Sequence, residues 1–175
     1  MPIGSPARPS NASKPSNFSA ELSMAIPALP KDFNEFLKSL NSNLVEYLLI
    51  GGYAVGIHGH IRATNDLDIW VLRSEENAAK VCCAIREFGF PAPGLTPELF
   101  LAPNNIVRMG LPPIRIEILT TISGVEFEEC YAERRMFQID DITVPVINLA
   151  HLRQNKAASA RAKDLADLES LPTDS

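Results

Sequence analysis

Three carboxylates stand out by their setting. Asp66 and Asp68 lie in the run Asp66-Leu67-Asp68-Ile69-Trp70-Val71-Leu72, and Glu117 lies in Ile114-Arg115-Ile116-Glu117-Ile118-Leu119. Both runs alternate with the period of two that marks a strand. In the first, Asp66, Asp68 and Trp70 share one face, and Leu67, Ile69 and Val71 share the core face. The two aspartates are then about 7 Å apart along the strand, close enough for their tips to converge. In the second, Arg115 and Glu117 share the face opposite Ile114, Ile116 and Ile118. A glutamate in so apolar a strand needs a reason to be there. If the two strands are neighbours in matching register, Glu117 joins the aspartates on one face. Two unit charges 4 Å apart interact by about 4 kcal/mol at an effective dielectric of 20, so the trio persists only with a cation or a bound proton. Oxygen donors without histidine or thiolate suit magnesium or manganese. Two such ions roughly 3.5–4 Å apart can organise an in-line displacement at phosphorus. The plainer alternative makes Asp66 and Asp68 surface residues and pairs Glu117 with Arg115 or a neighbour.

A glycine pair precedes the aspartates. Leu48, Leu49 and Ile50 run into Gly51-Gly52, where a strand passes into a helix. Glycine lets backbone approach a ligand closely, and the free amides of a helix start favour phosphate. Tyr53 to Asn65 then separates the pair from Asp66.

These residues need a scaffold. Phe33, Phe36, Leu37 and Leu40 recur at helical spacing after Asp32, a candidate N-cap. Residues 45–50 read as a central strand, 52–59 as a helix, 66–72 as a strand, and 75–88 as a helix stopped by Gly89. Pro91, Pro93, Pro97 and Pro103 make 90–104 a long loop with a short helix near 97–101. Strands follow at 106–109 and 114–119, a helix at 126–135, and a strand at 142–147 that Pro145 consigns to an edge. One long helix, about 149–171, closes the chain. The expected class is α/β (α+β): a small mixed sheet flanked by helices.

The chain has 175 residues, of which 46% are hydrophobic and 21% charged, an ordinary globular balance. A net charge of -5 argues against a broad basic surface that holds nucleic acid by charge alone, while leaving room for a local basic groove. Three cysteines, Cys82, Cys83 and Cys130, form no disulfide framework, which suggests a reducing, cytoplasmic compartment. No apolar run is long enough for a membrane span, so no membrane partner is expected. Residues 1–23, with four prolines and six serines, are expected to be a disordered extension, and 24–175 a single domain. Lys156, Lys163 and Asp167 fall at spacings of 7 and 4 on the expected last helix and share a face. Lys163 and Asp167 read as a solvated, salt-bridged face, and Arg161 points elsewhere. His58 reads as a cap or packing residue, Trp70 as packing, and the cysteines as core or neutral.

The stretch GGYAVGIHGHIRATNDLDI (51–69) resembles the nucleotidyltransferase superfamily typified by DNA polymerase β. The signature is an apolar residue, Gly, Gly or Ser, a short spacer, and Asp-apolar-Asp/Glu-apolar. Within that superfamily the stretch is most similar to small bacterial nucleotidyltransferases of the abortive-infection AbiEii type. The run NLAHLRQNKAASARAKDLADLESL (148–171) is similar to theirs as well. The resemblance spans about 44–171 and implies a nucleotidyltransferase-like core that moves a nucleotidyl group from a nucleoside triphosphate to an acceptor hydroxyl, with Mg2+ (or Mn2+) as cofactor. Asp66 and Asp68 would hold metal, and Glu117 would complete the metal site and activate the acceptor. Gly51 and Gly52 would lie against the triphosphate. Arg62 and Thr64 match positions that contact phosphate or form the lip of the site. Lys156 would reach the triphosphate from the opposite wall, a role that stands level with a solvated ion pair. Tyr53 replaces a serine common in active members. In the toxin branch of toxin–antitoxin pairs, the acceptor would be a tRNA end or a protein hydroxyl, and the partner an antitoxin or a second copy. The competing reading is a catalytically degenerate module of the same fold that binds nucleotide or a partner.

Overall fold

The computed structural model describes residues 28–173, and the extension expected over 1–23 lies outside the described residues. A six-stranded mixed sheet runs in the order β3-β4-β2-β1-β6-β5. Helix α1 (Lys31–Ser42) turns Phe33, Phe36, Leu37 and Leu40 inward, each fully buried. Its N-cap is Pro30 rather than Asp32, which sits in the first turn. Strand β1 (Tyr47–Ile50) is buried along its whole length between β2 and β6. It passes directly into α2 (Gly51–Ile57). Strand β2 (Asp66–Val71) follows. Helix α3 (Glu75–Phe88) starts where Ser74 accepts the Asn77 N–H and stops at Gly89 with φ 101°, the left-handed end that glycine adopts without strain. It packs on α1.

A one-turn helix, α4 (Glu98–Leu101), leads to the hairpin of β3 (Ile106–Leu111) and β4 (Ile114–Leu119). Strand β4 pairs parallel to β2, with Asp66 opposite Arg115 and Asp68 opposite Glu117. That register satisfies both alternations at once. Leu67 and Ile69 on β2, and Ile116 and Ile118 on β4, face the core, and a slip of one residue would bury the carboxylates instead.

The C-terminal third departs from expectation in three places. The helix expected over 126–135 ends early, as α5 (Phe127–Ala132), and Arg135–Ile139 forms β5, which makes a hairpin with β6 (Ile142–Val146). Strand β6 is therefore internal, not an edge. Pro145 is tolerated because the register between β1 and β6 is confined to Leu49 opposite Val146, beyond the proline. The single helix expected over 149–171 is two helices, α6 (Leu149–Ser159) and α7 (Ala162–Ser170). Ala160, at φ 51°, reverses the handedness of the backbone between them, so side chains across the break do not follow one helical repeat.

Candidate active site

Gly51 and Gly52 are required by what lies beside them. Gly51 has φ 67°, and a Cβ there would collide with the Asp68 carboxylate. At Gly52 a Cβ would strike the Thr64 side chain. The glycine pair thus lets the aspartate strand and the loop before it close onto the β1–α2 turn.

Asp66, Asp68 and Glu117 come together, as the two strand patterns predict, on the wall of a cleft of about 510 Å³. Asp68 and Glu117 are within hydrogen-bond reach, and burial, with the Glu117 and Asp66 charges added, lifts the Asp68 carboxyl to about 7. One proton shared by the pair relieves their repulsion. The other two acids are held by arginines. Arg115 reaches Asp66 at 3.1 Å and Glu117 at 3.2 Å, and Arg108 reaches Glu117 at 2.9 Å. The plainer sequence alternative, Glu117 paired with Arg115, is thus part of the arrangement. Arg115 Nε is buried and has no hydrogen-bond partner among the described residues.

No three His, Cys, Asp or Glu side chains among the described residues form a ready-made metal cage. The donor chemistry nevertheless fits a hard divalent ion. The ligands are all oxygen, they sit in adjacent register, and they already demand a positive charge, supplied here by a proton and two guanidinium groups. A metal would take over that neutralisation as the arginines withdraw.

The opposite wall is the α6–α7 pair. Lys156 lines the cleft but is buried, and its ammonium is committed to Asp164 at 2.6 Å and Asp167 at 3.1 Å. Asp164 also accepts from Arg161 at 2.6 Å and Ser159 at 2.7 Å. Burial alone would raise its proton affinity, but Arg161, Lys156 and Ser159 outweigh burial and hold the carboxyl at about 2. Arg62 grips Asp167 through two bonds, 2.6 and 2.9 Å, which fastens the loop before β2 to α7. The solvated face read for Asp167 is instead a buried ion network, and Arg161, expected to point elsewhere, joins it because the break at Ala160 turns α7 back. Lys163 lines the cleft and is exposed, and its charge acts on Asp68.

The remaining candidates sit further out. The Thr64 hydroxyl donates to the Asp66 carbonyl at 3.3 Å and lies behind the glycine turn, where with Tyr53 it lines a second, smaller pocket of about 180 Å³. Tyr53 packs edge-on against Phe33. Trp70 is buried, edge-on to Phe127, and donates to the Thr120 carbonyl at 3.4 Å, a packing role. His58 Nε2 lies 2.7 Å from the Ile147 carbonyl oxygen, tying α2 to the end of β6. Cys82 and Cys130 are buried and Cys83 is exposed, all as free thiols. None of the helices among the described residues is long and apolar enough to cross a membrane. Sequence reasoning paired Glu117 with Arg115 as its plainer alternative, but missed Arg108 and the contact of Arg115 with Asp66. Arg115 shares the Glu117 face of β4, and the β3–β4 hairpin sets Arg108 opposite Glu117, a pairing that needs the register to be seen.

No protein-family model matches the sequence, and no curated protein matches it. Among solved structures, the fold is similar to that of a "putative nucleotidyltransferase" from Thermotoga maritima, with a TM-score of 0.53 and 15% identity over 79% of this chain and 88% of that one. At that identity the likeness is one of fold, and the fold is nucleotidyltransferase-like.

Proposed function

We propose that this chain is a magnesium- or manganese-dependent nucleotidyltransferase that moves a nucleoside monophosphate from a nucleoside triphosphate to an acceptor hydroxyl. The observation that carries the reading is the register of β2 and β4, which sets Asp68 beside Glu117 and Asp66 beside Arg115 in a cleft that opens on the Gly51–Gly52 turn. The triphosphate lies against the backbone of that turn, which lines the cleft beside the carboxylates. The acceptor hydroxyl loses its proton to Glu117, and its oxygen attacks the α-phosphorus. The bond from the α-phosphorus to the bridging oxygen breaks, and pyrophosphate leaves with that electron pair. A divalent ion held by Asp66, Asp68 and Glu117 would supply Lewis-acid stabilisation of the charge that builds on the phosphate. Arg115 and Arg108, released from the carboxylates, are positioned to meet phosphate oxygens. Arg62 and Lys156 support the cleft through Asp167 and Asp164. Six basic and four acidic side chains line the cleft of a chain whose net charge is -5, so positive charge is focused where an anionic substrate would sit. A tRNA end or a protein hydroxyl as acceptor and a toxin role with an antitoxin partner rest on the sequence resemblance, and a cytoplasmic setting rests on the three unpaired cysteines.

The test is incubation of the chain with each α-labelled triphosphate and magnesium, against total RNA and against cell lysate. Label should pass to a macromolecule and should be lost in Asp66→Ala/Asp68→Ala. A second reading, a degenerate module that binds nucleotide without catalysis, is favoured by the arginines that occupy Asp66 and Glu117. Triphosphate affinity that is equal with and without magnesium, in wild type and double variant alike, would select it.

A further inference from the structure

The cleft holds a charge pattern that assigns a task to one residue. Of its six basic side chains, five are held by carboxylates: Arg108 by Glu117, Arg115 by Asp66 and Glu117, Arg62 by Asp167, Lys156 by Asp164 and Asp167, and Arg161 by Asp164. Lys163 is the sixth: among the described residues it makes no hydrogen bond or ion pair, and only its longer-range charge reaches Asp68. An exposed lysine on a convex helix surface is ordinarily just hydrated. This one stands on the first turn of α7, inside a concave cleft, on the wall facing the carboxylate strands. The turn at Ala160 aims it there, and the buried network of Arg62, Asp167, Lys156 and Asp164 fixes the start of α7 against the body of the protein.

We propose that Lys163 is the cation that recognises the terminal phosphates of the triphosphate, so that it, rather than Lys156, selects a nucleoside triphosphate over a monophosphate. This rests on the nucleotidyltransferase reading. A triphosphate carries about four negative charges, and each of the five paired cations must first leave a carboxylate to meet one. Lys163 has nothing to leave, and its ammonium, a point charge on a long flexible stem, suits an oxygen cluster of variable position. The two walls then divide the substrate. The carboxylate strands take the α-phosphate, where bonds change, and α7 takes the β- and γ-phosphates, which depart together as pyrophosphate.

The experiment is isothermal titration of the full chain, with magnesium, against the non-transferable α,β-methylene analogues of the four nucleoside triphosphates and against the matching monophosphates. Lys163→Gln should weaken the preferred triphosphate analogue about ten-fold, the effect of one phosphate ion pair worth about 1.4 kcal/mol, and leave the monophosphate unchanged. Lys163→Arg should restore most of the loss. Because Lys163 is exposed, the thermal midpoint of Lys163→Gln should match wild type. A wild type that prefers triphosphate, joined by a Lys163→Gln protein that prefers it equally, overturns the role of Lys163 alone. Equal loss for triphosphate and monophosphate also overturns it. A wild type that binds no triphosphate removes the nucleotidyltransferase reading, and this inference with it.

Discussion

Replacing Lys156 with methionine separates a structural cation from a substrate-binding one. The Lys156 side chain is 5% exposed and lies between Asp164 and Asp167, each 2% exposed. Methionine fills a similar volume but leaves two buried carboxylates with one positive charge fewer between them. Breaking a buried pair so that a charge is stranded costs about 3–5 kcal/mol. Here neither carboxylate is fully stranded, since Asp164 keeps Arg161 and Ser159 and Asp167 keeps both bonds to Arg62. The expected cost is therefore about 2–3 kcal/mol, below the stranded-charge range and well above the roughly 0.5 kcal/mol of an ordinary surface change. In urea at pH 7.5, without nucleotide, this lowers the unfolding midpoint by about 1–2 M at an unchanged slope. The pH dependence adds a second check. The Asp164 carboxyl in the folded protein sits at about 2, below its ordinary value, so its contribution to stability is complete above pH 4 and fades as pH falls toward 2. The gap between wild type and Lys156→Met should close over that window. A midpoint for Lys156→Met equal to that of wild type at pH 7.5 would refute the network as the support of α7.

Other outcomes follow from the same geometry. Gly51→Ala adds a Cβ at φ 67°, where it also strikes Asp68, and should cost about 1–3 kcal/mol, read as a fall of several degrees in the thermal midpoint. The Asp68 carboxyl, lifted to about 7, binds a proton in the folded state that the unfolded chain has released by about pH 5. The site therefore loses stability as pH rises from about 4 to 7, and Asp68→Asn, which does not titrate, should gain on wild type by about 2–3 kcal/mol between pH 5 and pH 8. Urea midpoints at the two pH values measure this. Added magnesium should narrow the gap at pH 8 by stabilising wild type alone.

The parts of the site that sequence made legible are those fixed by local pattern. The alternation around Asp66 and Asp68 places them opposite Leu67 and Ile69, and the glycine pair announces the turn from β1 to α2. Glu117 could be placed because its strand alternates too, given a neighbour in register. Positive φ at Ala160 carries no signal, because alanine and arginine both favour helix and only the completed packing of α7 repays the turn. The helix–strand boundary near Arg135 was hidden for a similar reason. Phe127 to Ala132 continues into charged residues that suit either element, and pairing with β6 decides between them. The resemblance set Lys156 on the wall opposite the carboxylates, level with an ion-pair reading, and the break at Ala160 brings Asp164 and Asp167 onto it as buried partners, which the spacing along one helix does not show.

The parallel pairing of β2 with β4 has a consequence for how the molecule can be handled. Arg115 and Asp66 touch although they are 49 residues apart in the chain, and the ladder between the strands, not the connection, sets that contact. Residues 91–94 in that connection are exposed. The chain can therefore be divided there into two fragments, each carrying part of the carboxylate set, with reassembly left to the β2–β4 ladder and the pairing of β1 with β6. A site spread over two fragments in this way becomes a reporter of proximity, silent until its halves are brought together.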